Sequence, residues 1–266
     1  MYSRLQLARK YIRYYLTASN GNGHGVHSPF VYDFIRNVLN DRRRYPPFWD
    51  KIEALRGRSV KDRTMLEVED MGAGSVVAGG RQRRVGEIAR HAAKPARLGQ
   101  LLYRIARYYK SQSVVELGTS LGFSTAYLAG GVEEGRVWTI EGAAAIAKVA
   151  ARNFKELGLE NVELVVGGFD QQLEGVLSKA GNIDLAFVDG NHRLEPTLCY
   201  FHLLMQRCVP GAILIFDDIH WSEEMERAWE EIQYDPRVYM TIDLFFIGLV
   251  VLRDEFKVKQ HFIIRF

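Results

Sequence analysis

The 266-residue chain has only two cysteines and no apolar run near the eighteen or so residues that a membrane span needs. Cys199 and Cys208 are too few and too close for a disulfide framework, and without paired CxxC spacing they make no zinc site. They read as idle or buried thiols. The N-terminus sets Arg4, Arg9, Lys10 and Arg13 among its apolar residues and lacks a continuous signal-peptide core, so a cytoplasmic protein is expected. No zinc finger or aromatic RNP pattern argues for a nucleic-acid module. None of the glycine clusters has the GxGxxG spacing of nicotinamide-dinucleotide enzymes. Internal repeats and low-complexity tracts are also missing, which leaves a globular chain long enough for one large α/β domain and an appendage.

What is present centres on SVVELGTSLGFSTAYLAG, residues 113–130. Ser113 to Leu117 is a short β-branched run suited to a buried parallel strand, Gly118 and Gly122 bracket a turn, and a helix follows from Phe123. The N–H groups at such a helix start favour an anionic ligand group. A second strand, Arg136 to Ile140, ends on Glu141, where a nucleoside's ribose hydroxyls would find an acceptor. An alanine-rich helix over 143–157 leads to a third strand, Val162 to Val166, and then to GGFDQQL, with Asp170 expected to cap the next helix. Strand four, Ile183 to Val188, stops at Asp189, and strand five, Ala212 to Phe216, stops at Asp217 and Asp218. Carboxylates at the carboxyl ends of parallel strands line a common crevice, or else cap the helices and turns beyond. Three converging acids repel one another unless a cation neutralises them, and hard oxygen ligands suit Mg²⁺ or Ca²⁺.

This stretch resembles the class I S-adenosyl-L-methionine-dependent methyltransferases, and within them the small-molecule O-methyltransferases of the catechol and caffeoyl-CoA type. Glu116, Leu117, Gly118, Ser120, Gly122 and Ser124 match the first motif, and Glu141 matches the ribose-binding acid. The resemblance runs from about Leu98 to the C-terminus. It implies a doubly wound, mostly parallel, seven-stranded Rossmann-like sheet with an antiparallel edge hairpin, and a cofactor site that also includes Gly168, Phe169, Asp170 and Asp189. It further implies a metal-binding Asp after strand four and an Asp-Asn pair after strand five, which Asp189 and Asp217 match while Asp218 replaces the Asn. The family's catalytic Lys three residues after the first Asp is here His192, a general base or a metal ligand. The expected reaction is O-methylation of a small hydroxylated acceptor, with Mg²⁺ assistance left open.

Residues 1–97 lie mostly outside the resemblance and read as a basic, mainly helical extension before a cofactor-binding domain over 98–266. Residues 1–110 hold 22 Lys and Arg against 9 Asp and Glu, and the remainder 13 against 23. Such a basic part can serve solubility and docking, an anionic substrate, nucleic acid or an anionic membrane face. A helix is expected over Leu5 to Leu16, and Ser28 before Pro29 signals another. His24 and His27 sit in a glycine-rich loop, in a GHGVHSPF stretch that resembles the opening of a group of uncharacterised bacterial methyltransferase-like proteins. The stretch 69–80 imitates the first motif but lacks a prompt second strand and is expected to be a loop that folds over substrate. Beyond strand five, His220 is a candidate metal ligand and Trp221 a candidate wall of the substrate site, in a loop leading to a helix capped by Ser222. The segment 238–253 predicts an antiparallel strand pair. The alternatives to a small-molecule enzyme are a nucleic-acid methyltransferase using the basic region and a non-catalytic cofactor-binding protein; a second copy of the chain is admitted as a partner.

Overall fold

The structure is a computed structural model that describes residues 1–19, 21, 23, 26–43, 45, 47–68, 82–91 and 94–266. The elements in its first part are α1 (Arg4–Thr17), α2 (Pro29–Phe34) continued by a π-helical turn over Ile35–Leu39, α3 (Phe48–Ser59), β1 (Met65–Glu67), β2 (Gln82–Arg84), α4 (Val85–His91) and α5 (Ala96–Tyr108). There follow β3 (Ser113–Leu117), α6 (Phe123–Gly131), β4 (Arg136–Glu141), α7 (Ala144–Leu157), β5 (Val162–Val166) and α8 (Phe169–Ala180). The chain closes with β6 (Ile183–Val188), α9 (Leu194–Met205), β7 (Cys208–Asp217), α10 (Glu223–Tyr234), β8 (Met240–Asp243), β9 (Ile247–Val251) and β10 (Gln260–Ile263). By internal packing the chain forms two compact units, Arg42–Gly181 and Met1–Asp41 with Asn182–Phe266. Neither ends at residue 97.

In Arg42–Gly181, β3, β4 and β5 lie side by side and parallel, with Ser113 opposite Arg136 and Val137 opposite Val162. Each connection is long enough for a helix, as parallel pairing requires. Val114, Val115, Leu117, Val137 and Ile140 are fully buried, the near-continuous apolar pattern of strands covered on both faces. Helix α5 packs along α6 with Leu101, Leu102 and Ile105 fully buried. The two helices close tightly at Gly131, where a Cβ would lie 2.5 Å from the carbonyl oxygen of Tyr103. Tyr45 and Trp49 stack against Tyr103, which fastens the start of α3 to the same core. Strands β1 and β2 pair antiparallel, Met65 opposite Arg84. The 69–80 stretch read as a substrate loop, and His24, lie outside the described residues.

The other unit orders its strands β6-β7-β9-β8-β10. Strands β6 and β7 are parallel, β9 runs antiparallel to both β7 and β8, and β10 returns parallel to β8. The expected edge hairpin is thus β8–β9, and its short connection leaves no room for a crossover. The doubly wound, mostly parallel class holds, with one strand more than the seven expected, because β10 adds to β8. Its unpaired edge groups draw the chain end in: Ser19 accepts from Arg265 and donates to Ile263. Helix α1 begins with a reciprocal cap between Ser3 and Gln6, and α2 with the Ser28 hydroxyl and Pro29. Tyr14 is the residue of α1 that is buried, against Phe245, with its hydroxyl donating to the carbonyl of Ile264.

Candidate functional site

The residues singled out in the sequence gather in two groups, one in each unit. In Arg42–Gly181 the first is the turn leaving β3. Gly118, Ser120 and Gly122 all have positive φ, at 103°, 48° and 84°. The turn closes through the Gly122 N–H to the Thr119 carbonyl at 2.8 Å, while the Gly118 and Thr119 N–H groups share the Ile140 carbonyl. Gly122 is required twice over: its φ is left-handed, and a Cβ there would lie 2.4 Å from the Phe154 ring. It is the N-cap of α6 with no side chain closing the helix start, so the first N–H groups remain for a ligand.

Glu141, the last residue of β4, is held by that turn. One carboxylate oxygen accepts the Ser120 N–H at 2.8 Å and the other accepts the Ala143 N–H at 2.9 Å. An ionised carboxylate has about four acceptor positions. Two backbone donors therefore fix its orientation. The Gly167 N–H donates to the Glu141 carbonyl at 2.9 Å, which brings the start of α8 beside it. Gly168 is the N-cap of that helix and Phe169 its first residue. Asp170 therefore sits in the first turn and does not cap the helix as expected, because the chain turns helical two residues earlier than a side-chain cap at 170 would allow.

Glu116 differs from Glu141 although both end up near the same turn. It has no exposed surface and accepts from the hydroxyls of Thr125 and Thr139, the latter at 2.6 Å. It ties β3 to α6 and β4 beneath the turn. Thr119 joins the same cluster, 2.6 Å from Thr139. Ser124, also in the matched motif, is buried in the first turn of α6.

The second group lies in the unit of Met1–Asp41 and Asn182–Phe266. Strands β6 and β7 end level, with Val188 opposite Phe216, so Asp189 and Asp217 emerge side by side. His192 follows in the turn before α9, its Nε2 3.7 Å from an Asp189 carboxylate oxygen and 3.9 Å from one of Asp218. One ligand atom each from Asp189, His192 and Asp217 lies within 4.8 Å of the others. Asp217 is 1% exposed, whereas Asp189 and His192 are half-buried. Two carboxylates and an imidazole so disposed fit a divalent cation. Asp218 is not a member of this trio, although its carboxylate reaches His192. Its backbone is left-handed, φ 55°, and its N–H is spent on the Phe246 carbonyl at 2.7 Å.

His220 is placed elsewhere than a metal ligand would be. Its Nδ1 is 3.0 Å from Glu226 and its Nε2 2.8 Å from Asp243, and the ring stacks on Phe245. Burial alone would lower its pKa, but the hydrogen bonds and charges of Asp243 and Glu226 outweigh that and raise it above the usual histidine value. Glu226 also accepts from the Tyr2 hydroxyl at 2.7 Å and from the Lys10 ammonium at 2.8 Å. Burial pushes the Glu226 pKa up, and these donors more than reverse it, leaving it lowered. Sequence reasoning missed this network, whose members lie up to 241 positions apart, Tyr2 to Asp243. Trp221 joins the same corner through its backbone, donating to Asp218 and accepting from Tyr2. His27 is exposed just before the Ser28 cap.

Comparison with known proteins agrees with this geometry. A family model described as a methyltransferase domain matches residues 115–219, which include both groups. A catechol O-methyltransferase of Mycobacterium tuberculosis (strain ATCC 25618 / H37Rv) is 33% identical over 127 residues, 47% of this chain and 56% of that protein. A protein of Mycobacterium sp. (strain JLS), provisionally named an O-methyltransferase, is 30% identical over 167 residues, 62% of this chain and 72% of its own. Among solved structures, the Streptomyces achromogenes O-methyltransferase TomG, crystallised with S-adenosylmethionine, superposes with a TM-score of 0.53 at 25% identity, covering 60% of this chain and 82% of that one. The chain spans a little over half the length of the first curated relatives it matches.

Proposed function

Because the chain belongs to the class I S-adenosylmethionine-dependent O-methyltransferases, we propose that it moves the methyl group of S-adenosyl-L-methionine to a hydroxyl oxygen of a small acceptor. The observation that carries this reading is the convergence of Asp189, His192 and Asp217, which supplies a proton acceptor for the hydroxyl. Glu141 would take the ribose hydroxyls, its orientation set by Ser120 and Ala143, and the turn 118–122 with the start of α6 would receive the cofactor's carboxylate. Gly168, Phe169 and Asp170 would flank the adenine beside Glu141.

In the transfer, an oxygen lone pair forms the C–O bond as the C–S bond breaks, its electrons stay on sulfur, and S-adenosylhomocysteine leaves. The sulfonium is already a good leaving group, so the chain's own task is alignment and removal of the hydroxyl proton. His192 Nε2 accepts that proton, and Asp189 stabilises the imidazolium. A divalent ion such as Mg²⁺ on Asp189 and Asp217 would lower the pKa of the acceptor hydroxyl and orient it. Residues 98–266 form the cofactor-binding domain in this reading, and 1–97 the basic extension.

Calorimetric titration with S-adenosylmethionine, with NAD as control ligand, tests the cofactor assignment. Binding in the micromolar range by the first and none by the second is expected. His192→Ala should lower turnover of hydroxylated acceptors by about 100-fold or more while leaving cofactor affinity within about twofold. Unchanged turnover would remove His192 from the mechanism. Treatment with EDTA followed by Mg²⁺ separates the two roles of the acids: loss and restoration of activity identifies them as ligands.

A further inference from the structure

Helix α1 has two unlike faces. The inner one is fastened by Lys10 to Glu226, by Tyr11 and Tyr14 against Phe245, and by the Tyr14 hydroxyl to Ile264. The outer one carries Leu5, Ile12 and Leu16, which are 81%, 59% and 71% exposed. Spacings of seven and four residues align them in a single stripe along a helix about 21 Å long. Arg9 and Arg13 flank the stripe on one side, Arg4 and Tyr15 on the other, and Arg265 adds a cation over the Tyr15 ring at 4.7 Å. Neither α1 nor any residue before Asp33 is acidic.

We infer that this outer face docks on the surface of an anionic phospholipid bilayer, with Leu5, Ile12 and Leu16 entering the headgroup and acyl boundary and Arg4, Arg9, Arg13 and Arg265 meeting the lipid phosphates. An aliphatic stripe with cationic flanks is the pattern of a helix that lies in the interface plane. The charge selects this occupant over the others. A second copy related by a two-fold axis along the stripe would bring the arginine rows together with no carboxylate on the face to neutralise them. A nucleic-acid backbone would meet the arginines but gives no partner to three exposed aliphatic side chains. The inner-face contacts make the helix a preformed element, so docking needs no folding step. The inference is independent of the methyl-transfer reading.

Co-sedimentation of the full chain with vesicles of phosphatidylcholine and phosphatidylglycerol, against pure phosphatidylcholine, tests it at about 0.1 M and about 0.5 M salt. Binding to the anionic vesicles is expected, weakened by the higher salt. Leu5→Ser/Ile12→Ser/Leu16→Ser should abolish it, and each of Arg9→Gln and Arg13→Gln should weaken it about fivefold. Because all five side chains point outward, far-UV circular dichroism and melting temperature should be unchanged, which separates lost docking from lost folding. The inference is overturned if the unaltered chain ignores anionic vesicles, or if the triple serine variant binds them as well as the unaltered chain. It is equally overturned if light scattering shows a dimer that the serine variant converts to monomer, or if a salt-sensitive RNA complex forms instead.

Discussion

Glu116 and Glu141 lie near the carboxyl ends of neighbouring strands, yet their donors give them different work. The Glu116 carboxylate is sealed from water, and one of its oxygens accepts from two threonine hydroxyls, so its loss is felt in stability. Thr139→Val leaves a buried charge one donor short and should cost about 1–3 kcal/mol in urea unfolding, with little effect on cofactor affinity in the fraction that remains folded. Glu141 is half-exposed and anchored by backbone N–H groups, so Glu141→Ala should instead weaken S-adenosylmethionine binding by about 10-fold or more, as two ribose hydrogen bonds would. Equal effects of the two substitutions on binding and stability would dissolve the distinction. Both glutamates are visible in the sequence, since each stands at or next to the end of a β-branched strand run. Their burial is not, because it depends on which threonines two other elements deliver. The adjacent pair Asp217 and Asp218 shows the same limit: the strand end marks both, but Asp217 is buried in the trio while Asp218, with a left-handed φ, reaches only its histidine, and nothing in an Asp-Asp dipeptide says which way the second will turn.

Among the elements, β3 to β7 are legible because strands buried on both faces must be apolar throughout and must stop where the chain returns to water. The π turn over Ile35–Leu39 is not, since an apolar helical stripe reads alike for either hydrogen-bond pattern. The clasp between α1 and α10 is likewise hidden: a run of acids after Ser222 looks like a solvated helix start, yet Glu226 there gathers Tyr2, Lys10 and His220. Its depressed pKa has a defined consequence. The unfolded chain protonates this glutamate near its ordinary value of 4.5, while the folded chain holds it ionised to lower pH. The stability it contributes is present above that value and is lost as pH falls through the folded pKa. Between about pH 5 and pH 3 the unfolding free energy of the unaltered chain, read from urea unfolding at each pH, should therefore drop more steeply than that of Glu226→Gln, by about 1 kcal/mol in total, given how exposed Lys10 is. Parallel curves would show that the clasp adds nothing to folding.

Across the whole molecule the two groups of residues fall in different compact units, the turn after β3 with Glu141 in Arg42–Gly181 and the acid–histidine trio in the unit of both termini. The charge is uneven along the chain as well, basic in residues 1–110 and acidic afterwards. Sequence order alone hides the first fact, because residues 1–41 pack with 182–266. A ligand that binds only the first group must draw its stabilisation from the segments that touch it, and linkage fixes the scale: at 100 times its dissociation constant a ligand adds about 2.7 kcal/mol. Hydrogen exchange in the presence of S-adenosylhomocysteine should accordingly slow in three stretches, 118–124, 141–143 and 167–170, because their N–H groups either meet the ligand or hold the residues that do. Exchange in α1, α10 and β8–β10 should stay as it is in the free chain. Protection centred on those last elements, or none at saturating ligand, would place the cofactor away from Glu141 and with it the reading of the turn after β3.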